Sequence, residues 1–171
     1  MAASKGFEAL KASFPNDRFV IGGSEEFAEL NKSYLSLLQS DLEPAAIFLP
    51  RDKDEVSKFV QLIKPFALDG DVQFAIRGAG QQPMPGCSNI TNGITVDLRH
   101  IKGIELKDGA VSLGAGERWG PIYEKLTAEG LGVSGSRSAL GGIGGLALAG
   151  ANALPFFNIY PYLNVRESHS R

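Results

Sequence analysis

Arg77-Gly78-Ala79-Gly80-Gln81-Gln82 follows directly on an apolar run, Val72 to Ile76, and breaks it with a glycine turn. Glycine has no Cβ, so the chain can turn tightly there and aim successive backbone N–H groups at one anion. Two readings fit the loop. In one it cradles a pyrophosphate, with Arg77 adding positive charge or projecting to the opposite face. In the other it is a tight turn whose glycines only satisfy a positive φ. A second glycine run, Gly141-Gly142-Ile143-Gly144-Gly145, lies about 60 residues further on. Gly142-x-Gly144-x-x-Ala147 matches the letters of a Rossmann fingerprint. That fingerprint needs a strand before it, a helix and strand after it, and an acidic residue about 20 positions on. Ser134 to Ser138 makes a poor strand, and the sequence ends before a second βαβ unit. A backbone that passes close to a flat ligand explains these glycines better. Together the two segments suggest a dinucleotide lying between two small α/β units.

Other chemistry is sparse. No Ser/His/Asp set is visible, and two histidines with one cysteine make no metal cluster. His100 follows a strand and reads as a loop residue, and His169 lies in the tail. Cys87 reads as a small core or turn residue. No catalytic or metal-ligating residue is expected.

The elements around the loops are legible from periodicity. Ser24 to Leu38 predicts a helix, with Ser24 as N-cap and Phe27, Leu30, Tyr34, Leu37 and Leu38 on one face. Ala45 to Leu49 predicts a buried strand ended by Pro50. Asp52 to Glu55 looks like a capping box opening a second helix, whose apolar positions are Val56, Phe59, Val60, Ile63 and Phe66. Val72 to Ile76 follows as a strand. Ala45 to Arg77 is therefore a βαβ unit with parallel strands. Gly93 to Leu98 predicts a further strand. Ile101 to Leu106 and Ala110 to Leu113 flank the hairpin signal Lys107-Asp108-Gly109. Trp119 to Glu129 predicts a helix with Pro121 near its first turn, closed by Gly130.

Composition sets the class. The chain has 171 residues, 43% hydrophobic and 21% charged, with a net charge of -2, so neither nucleic acid nor a membrane surface is favoured as a partner. No stretch reaches the roughly 18 apolar residues of a membrane span. MAASKGFEALKASFP lacks the apolar core of a secretory signal. With one cysteine, a cytoplasmic setting is the simplest expectation. Of 21 glycines, 17 fall between Gly78 and Gly150, which separates a glycine-punctuated middle from a helical, charged first third. The last residues, with Phe156, Phe157, Tyr160 and Tyr162, show no regular period.

Three stretches carry a family resemblance: EPAAIFLPRDKDEVSKFV, FAIRGAGQQPMPGCSNITNGITVDLRHIKGIEL and VSLGAGERWGPIYEKLTAEGLGVSGSRSALGGIGGLALAG. In that order they resemble the flavin-binding domain of the vanillyl-alcohol oxidase family, the PCMH-type FAD-binding domain. The nearest branch is the berberine-bridge-like FAD-linked oxidoreductases of fungi. The resemblance implies an α+β fold of two small α/β subdomains with FAD between them. Arg77, Gly78, Ala79, Gly80, Gln81 and Gln82 would contact the pyrophosphate. Gly135, Ser138, Gly141, Gly142, Gly144 and Gly145 would run along the ribityl chain and isoalloxazine. In the family a larger second domain covers the flavin, builds the pocket for a small-molecule substrate and usually supplies the catalytic base. The family reaction passes a hydride from a substrate C–H to the flavin, with oxygen as acceptor.

Departures from the family pattern carry their own expectations. Relatives with covalent flavin place a histidine where this sequence has Gln81, and some place a cysteine near Ser138. The expected FAD is therefore non-covalent. The resemblance covers about 41–150, after an N-terminal helical extension at 1–40 and before an unmatched tail at 151–171. A domain incomplete at its C-terminus is the expectation, as a retained intron, frameshift or gene fragment would give. On that view the isolated chain turns over little. The alternatives are a non-catalytic flavin- or nucleotide-binding module, a partner-dependent fragment, or a piece that folds poorly.

Overall fold

The computed structural model describes residues 4–148 and 164–167. They fall into two compact units, Met1–His100 and Ile101–Arg171, and both mix helices with a sheet, as the α+β reading expects.

The first unit runs α1 (Lys5–Ser13), β1 (Phe19–Ile21), α2 (Glu25–Lys32), α3 (Leu37–Ser40), β2 (Ala46–Phe48), α4 (Lys53–Leu68), β3 (Phe74–Arg77) and β4 (Ile94–Asp97). Its sheet has the order β1-β2-β4-β3. β1 lies antiparallel to β2, while β2 and β3 both run parallel to β4. The expected βαβ unit is present with its strands parallel, but they are not neighbours, because β4 lies between them. The reason is burial. All four residues of β4 are buried, a condition met by a strand with partners on both sides and cover on both faces. The first forty residues are integral to the unit: β1 extends the sheet and Leu10 and Phe14 enter its core.

The sheet's two faces differ in chemistry. Phe48, Ile94 and Val96 point to one side, where Leu10 and Phe14 at α1 and Phe59 and Ile63 of α4 close an apolar core. Ile47 packs on the other with Val20, Leu49 and Phe27 of α2. That second face turns polar toward β4 and β3, where Thr95, Asp97 and Arg77 are all buried.

Local signals explain the helices. Asp52 caps α4, its Oδ1 accepting from Glu55 N at 2.8 Å. The reciprocal half of the capping box is diverted: the Glu55 carboxylate accepts from Arg51 N and Arg18 Nε, each at 2.9 Å. Val60, expected in the core, is exposed. Ser24 caps α2 as expected, accepting from Phe27 N at 3.1 Å. The helix expected to reach Leu38 stops at Lys32, however, and restarts as α3 after a bend. In a continuous helix Leu35 N would donate to the carbonyl four residues back. It donates instead to Gly80 O at 3.0 Å. Tyr34 is consequently buried, while Leu37 and Leu38 are 78% and 58% exposed.

The second unit holds β5 (Ile104–Lys107), β6 (Ala110–Leu113), α5 (Trp119–Ala128), α6 (Ile143–Leu148) and β7 (Asn164–Glu167). β5 and β6 form the expected antiparallel hairpin, and Asp108 and Gly109 both take positive φ, 52° and 71°, as a primed two-residue turn requires. β7 pairs parallel with β6, so part of the unmatched tail joins this sheet. α5 buries Trp119, Ile122 and Leu126 against Val111, Leu113, Val133 and Ile143. Gly130, at φ 70°, closes it as expected. His169 and the tail aromatics Phe156, Phe157, Tyr160 and Tyr162 lie outside the described residues.

Candidate functional site

The first glycine loop leaves the carboxyl end of β3, the end of a parallel strand at which open α/β sheets bind ligands. Parallel register sets Arg77 beside Asp97 of β4. Both are buried, and Arg77 Nη1 stands 3.5 Å from Asp97 Oδ2. The same Asp97 oxygen accepts from Arg99 Nη2 at 2.8 Å. Arg77 also donates to Leu30 O and Ser33 O at 2.9 Å and to Ser33 Oγ at 2.7 Å, and its guanidinium lies 3.7 Å from the centre of the Tyr34 ring. Of the two directions open to it, the Arg77 side chain takes the inward one. Its side chain is turned into the unit, where two carbonyls, a hydroxyl, the Asp97 carboxylate and the Tyr34 ring receive it together. Burial pushes the Arg77 guanidinium down, and the Asp97 carboxylate offsets only part of that. What remains is two guanidinium charges against one carboxylate beneath the loop.

Tyr34 belongs to the same cluster and donates to Ser88 O at 2.9 Å. Burial, opposed by Arg77 and aided by Asp97, pushes its phenol up to about 12. A phenol raised above its ordinary value of about 10 adds stability that is complete below pH 10 or so and is lost as pH rises through about 12. In an alkaline titration followed by phenolate absorbance, Tyr34 should ionise late, together with unfolding of the first unit. Early ionisation without unfolding would contradict the buried placement.

The loop itself offers donors. Among the described residues no acceptor meets the backbone N–H groups of Gly78, Gly80, Gln81 or Gln82. Gly80 is buried, Gln81 half-buried and Gln82 exposed, so the row runs from the interior to the surface. Gly80 takes φ 68°, and a Cβ there would come within 2.8 Å of Arg77 Nε and 3.0 Å of Tyr34 Cδ1. Glycine is thus required twice, by conformation and by space. A run of unclaimed N–H groups over a cluster with surplus positive charge fits a diphosphate.

Sequence reasoning missed the polar network that fastens the chain after this loop. Asn89 Nδ2 donates to Asn31 Oδ1, Gln39 O and Leu42 O at 2.8–2.9 Å, and Thr95 Oγ1 donates to Asn89 Oδ1 at 2.7 Å. Gln39 Nε2 donates to Met84 O. The buried Gln39 and Asn89 bind Met84 to Asn89 onto α3 and β4. Cys87 is exposed in a turn of this segment, and His100 is exposed after β4, away from any role in the core.

In the second unit, Gly135 to Gly145 is threaded across the start of α5. Trp119 N donates to Gly141 O at 3.0 Å, Gly120 N to Ala139 O at 2.9 Å and Ile143 N to Glu117 O at 3.2 Å. Gly142 pairs with Arg118 as an isolated bridge. Tyr123 OH donates to Ser136 O at 2.6 Å. A Cβ on Gly135 would lie 2.1 Å from Trp119 Cζ3, so the backbone passes over the indole at a distance only glycine allows. Ser138 is exposed, its N–H bonded to Ser136 Oγ at 3.1 Å. Gly144 and Gly145 open α6, and Gly145 has nothing within 4 Å of a Cβ position. No strand immediately precedes Gly141 among the described residues, which removes the context of a Rossmann fingerprint. Among the described residues no group of His, Cys, Asp and Glu is placed to hold a metal ion, and no helix is long and apolar enough to cross a membrane.

Comparison with known proteins agrees with this geometry. Residues 44–154 match the model of the FAD binding domain family. The chain is 34% identical over 150 residues to the FAD-dependent monooxygenase CTB5 of Cercospora beticola, covering 85% of this chain and 28% of that protein. It is 30% identical over 153 residues to the FAD-dependent monooxygenase prx3 of Penicillium roqueforti, covering 87% and 28%. The chain therefore spans less than a third of the length of these relatives. Among solved structures, the glucooligosaccharide oxidase of Acremonium strictum, a protein with 6-S-cysteinyl, 8α-N1-histidyl FAD, shares the fold at a TM-score of 0.67 and 24% identity, over 84% of this chain and 29% of that one. By its matched segments and its fold, the chain belongs to the PCMH-type FAD-binding domains of the vanillyl-alcohol oxidase and berberine-bridge-like oxidoreductases.

Proposed function

We propose that this chain holds FAD without a covalent bond and is the flavin-binding part of an oxidoreductase acting on a small-molecule C–H bond. The observation that carries the reading is the set of unclaimed N–H groups of Gly78, Gly80, Gln81 and Gln82, with Arg77 packed beneath Gly80 and sharing the Asp97 carboxylate with Arg99. FAD held here would supply the redox chemistry, hydride acceptance from a substrate C–H with oxygen as the final acceptor. The work of this chain is to bind and orient. Gly80, Gln81 and Gln82 donate to the diphosphate through their backbones. Gly135 to Gly145, pinned along the start of α5, presents a thin backbone edge suited to a flat ring. Gln81 and the segment around Ser138 support non-covalent binding: covalent relatives have histidine at the first place and some have cysteine at or near the second, and neither the Gln81 amide nor the Ser138 hydroxyl forms the corresponding flavin bond. The monooxygenase names of the relatives agree with a flavin that meets oxygen.

An absorption spectrum of the purified chain, followed by acid precipitation, tests this. Flavin absorbance that passes to the supernatant is expected. Flavin retained in the pellet would refute non-covalent binding. A colourless protein that leaves the fluorescence of added FAD unquenched would refute binding itself.

A further inference from the structure

The donor row is held in place from outside the loop. Leu35 N donates to Gly80 O at 3.0 Å, in the bend between α2 and α3. The neighbouring Ser33 receives Arg77 Nη2 on its carbonyl at 2.9 Å and its hydroxyl at 2.7 Å. Tyr34, between them, stacks its ring under the same guanidinium at 3.7 Å. Arg77 and Tyr34 in turn fill the space directly beneath Gly80. Three consecutive residues of one bend thus grip both the loop and the arginine that precedes it.

We propose that Arg77 and the Ser33–Leu35 bend form a positioning device that fixes the Gly80–Gln82 donors for a diphosphate. Arg77 acts through Gly80 and through its charge, not as a ligand. The inference rests on the FAD-binding reading and adds the residues that make the loop competent. Its logic is geometric. A planar guanidinium with carbonyl, hydroxyl and carboxylate partners and an aromatic face below it has one orientation. An apolar side chain of similar volume would fill the same space with no such constraint, and packing alone does not call for the charge. The cation also sits under the only unclaimed run of donors at the end of β3 among the described residues, where it favours an anion.

The test uses Ser33→Ala and Arg77→Lys. Ser33 is exposed, so its substitution removes the hydroxyl that accepts from Arg77 and Arg99 and donates to Leu30 O, and leaves no core void. Lysine keeps the charge of Arg77 but not its planar fork. Three measurements are made: thermal melting, amide hydrogen exchange of Leu35 without FAD, its N–H being the one bonded to Gly80 O, and quenching of FAD fluorescence. Ser33→Ala should melt close to wild type, yet exchange faster at Leu35 and bind FAD about fivefold more weakly. Arg77→Lys should move exchange and affinity in the same direction by about tenfold or more. A folded Ser33→Ala protein with wild-type exchange at Leu35 and wild-type FAD affinity would overturn the inference. If Arg77→Lys does not fold, Ser33→Ala decides alone. If the wild type binds no FAD, the proposed function fails, while the exchange measurement still decides whether the device holds the loop.

Discussion

Replacing Asp97 with alanine should destabilise the first unit by about 3–5 kcal/mol, the usual cost of removing one partner of a buried ion pair. Asp97 is 0% exposed and Arg77 1% exposed, so neither charge has water to fall back on. Without the carboxylate, Arg77 keeps its bonds to Leu30 O, Ser33 O and Ser33 Oγ but faces Arg99 with no anion between them. Arg99, about a third exposed, can turn outward; Arg77 cannot. Chemical denaturation of Asp97→Ala, Arg77→Met and the double variant measures this. The double variant should recover part of the loss, because it no longer buries a lone charge. A loss below about 1 kcal/mol in Asp97→Ala would mean the pair is solvated and contributes as a surface bridge does.

Gly135→Ala should damage the second unit strongly, costing about 3 kcal/mol, the upper part of the range for overpacking. The added carbon would fall 2.1–2.4 Å from three atoms of the Trp119 ring. The ring has little room to yield. It is buried, it is stacked on Tyr123 at 5.4 Å, and Tyr123 is tied to Ser136 O, next to Gly135 itself. Trp119 is the only tryptophan, so its fluorescence reports the site directly. A lower denaturation midpoint and a red-shifted emission are expected. Gly145→Ala is the control. It meets nothing within 4 Å and lies in α6, so stability should hold or rise slightly. If both variants melt alike, the close approach of backbone to indole is not as described.

Local signals were legible in the sequence, and long-range ones were not. Asp52, the Asp108-Gly109 turn and Gly130 each act within a few residues, so α4, the β5–β6 hairpin and α5 appear where periodicity and turn chemistry put them. The break after Lys32 was hidden, because it depends on Gly80 O and Arg77, more than 40 residues away. The apolar spacing of Leu37 and Leu38 suited a helix face; tertiary hydrogen bonds overrode it. The insertion of β4 between β2 and β3 is a pairing choice that no short window encodes: the alternation of Gly93 to Leu98 signalled a strand and not its place in the sheet. At the site, the glycines disclosed the loop, but the direction of the Arg77 side chain followed from a strand register known only once β4 was placed. Asn31, Gln39 and Asn89 gave a weaker signal, as isolated amides beside apolar runs. Only the structure joins them.

The sheet order also carries a consequence for synthesis. β4 is the last strand of the first unit to leave the ribosome, yet it is the sole neighbour of β3. Until Asp97 emerges, about 20 residues after Arg77, the FAIR segment has no strand to pair with, for roughly one to four seconds at ordinary translation rates. During that interval its unpaired edge is open to association with other nascent chains. Slow codons or a ribosomal pause between Gly78 and Asp97 should therefore lower soluble yield more than the same pause placed after Asp97, with no change in the stability of the protein that does fold.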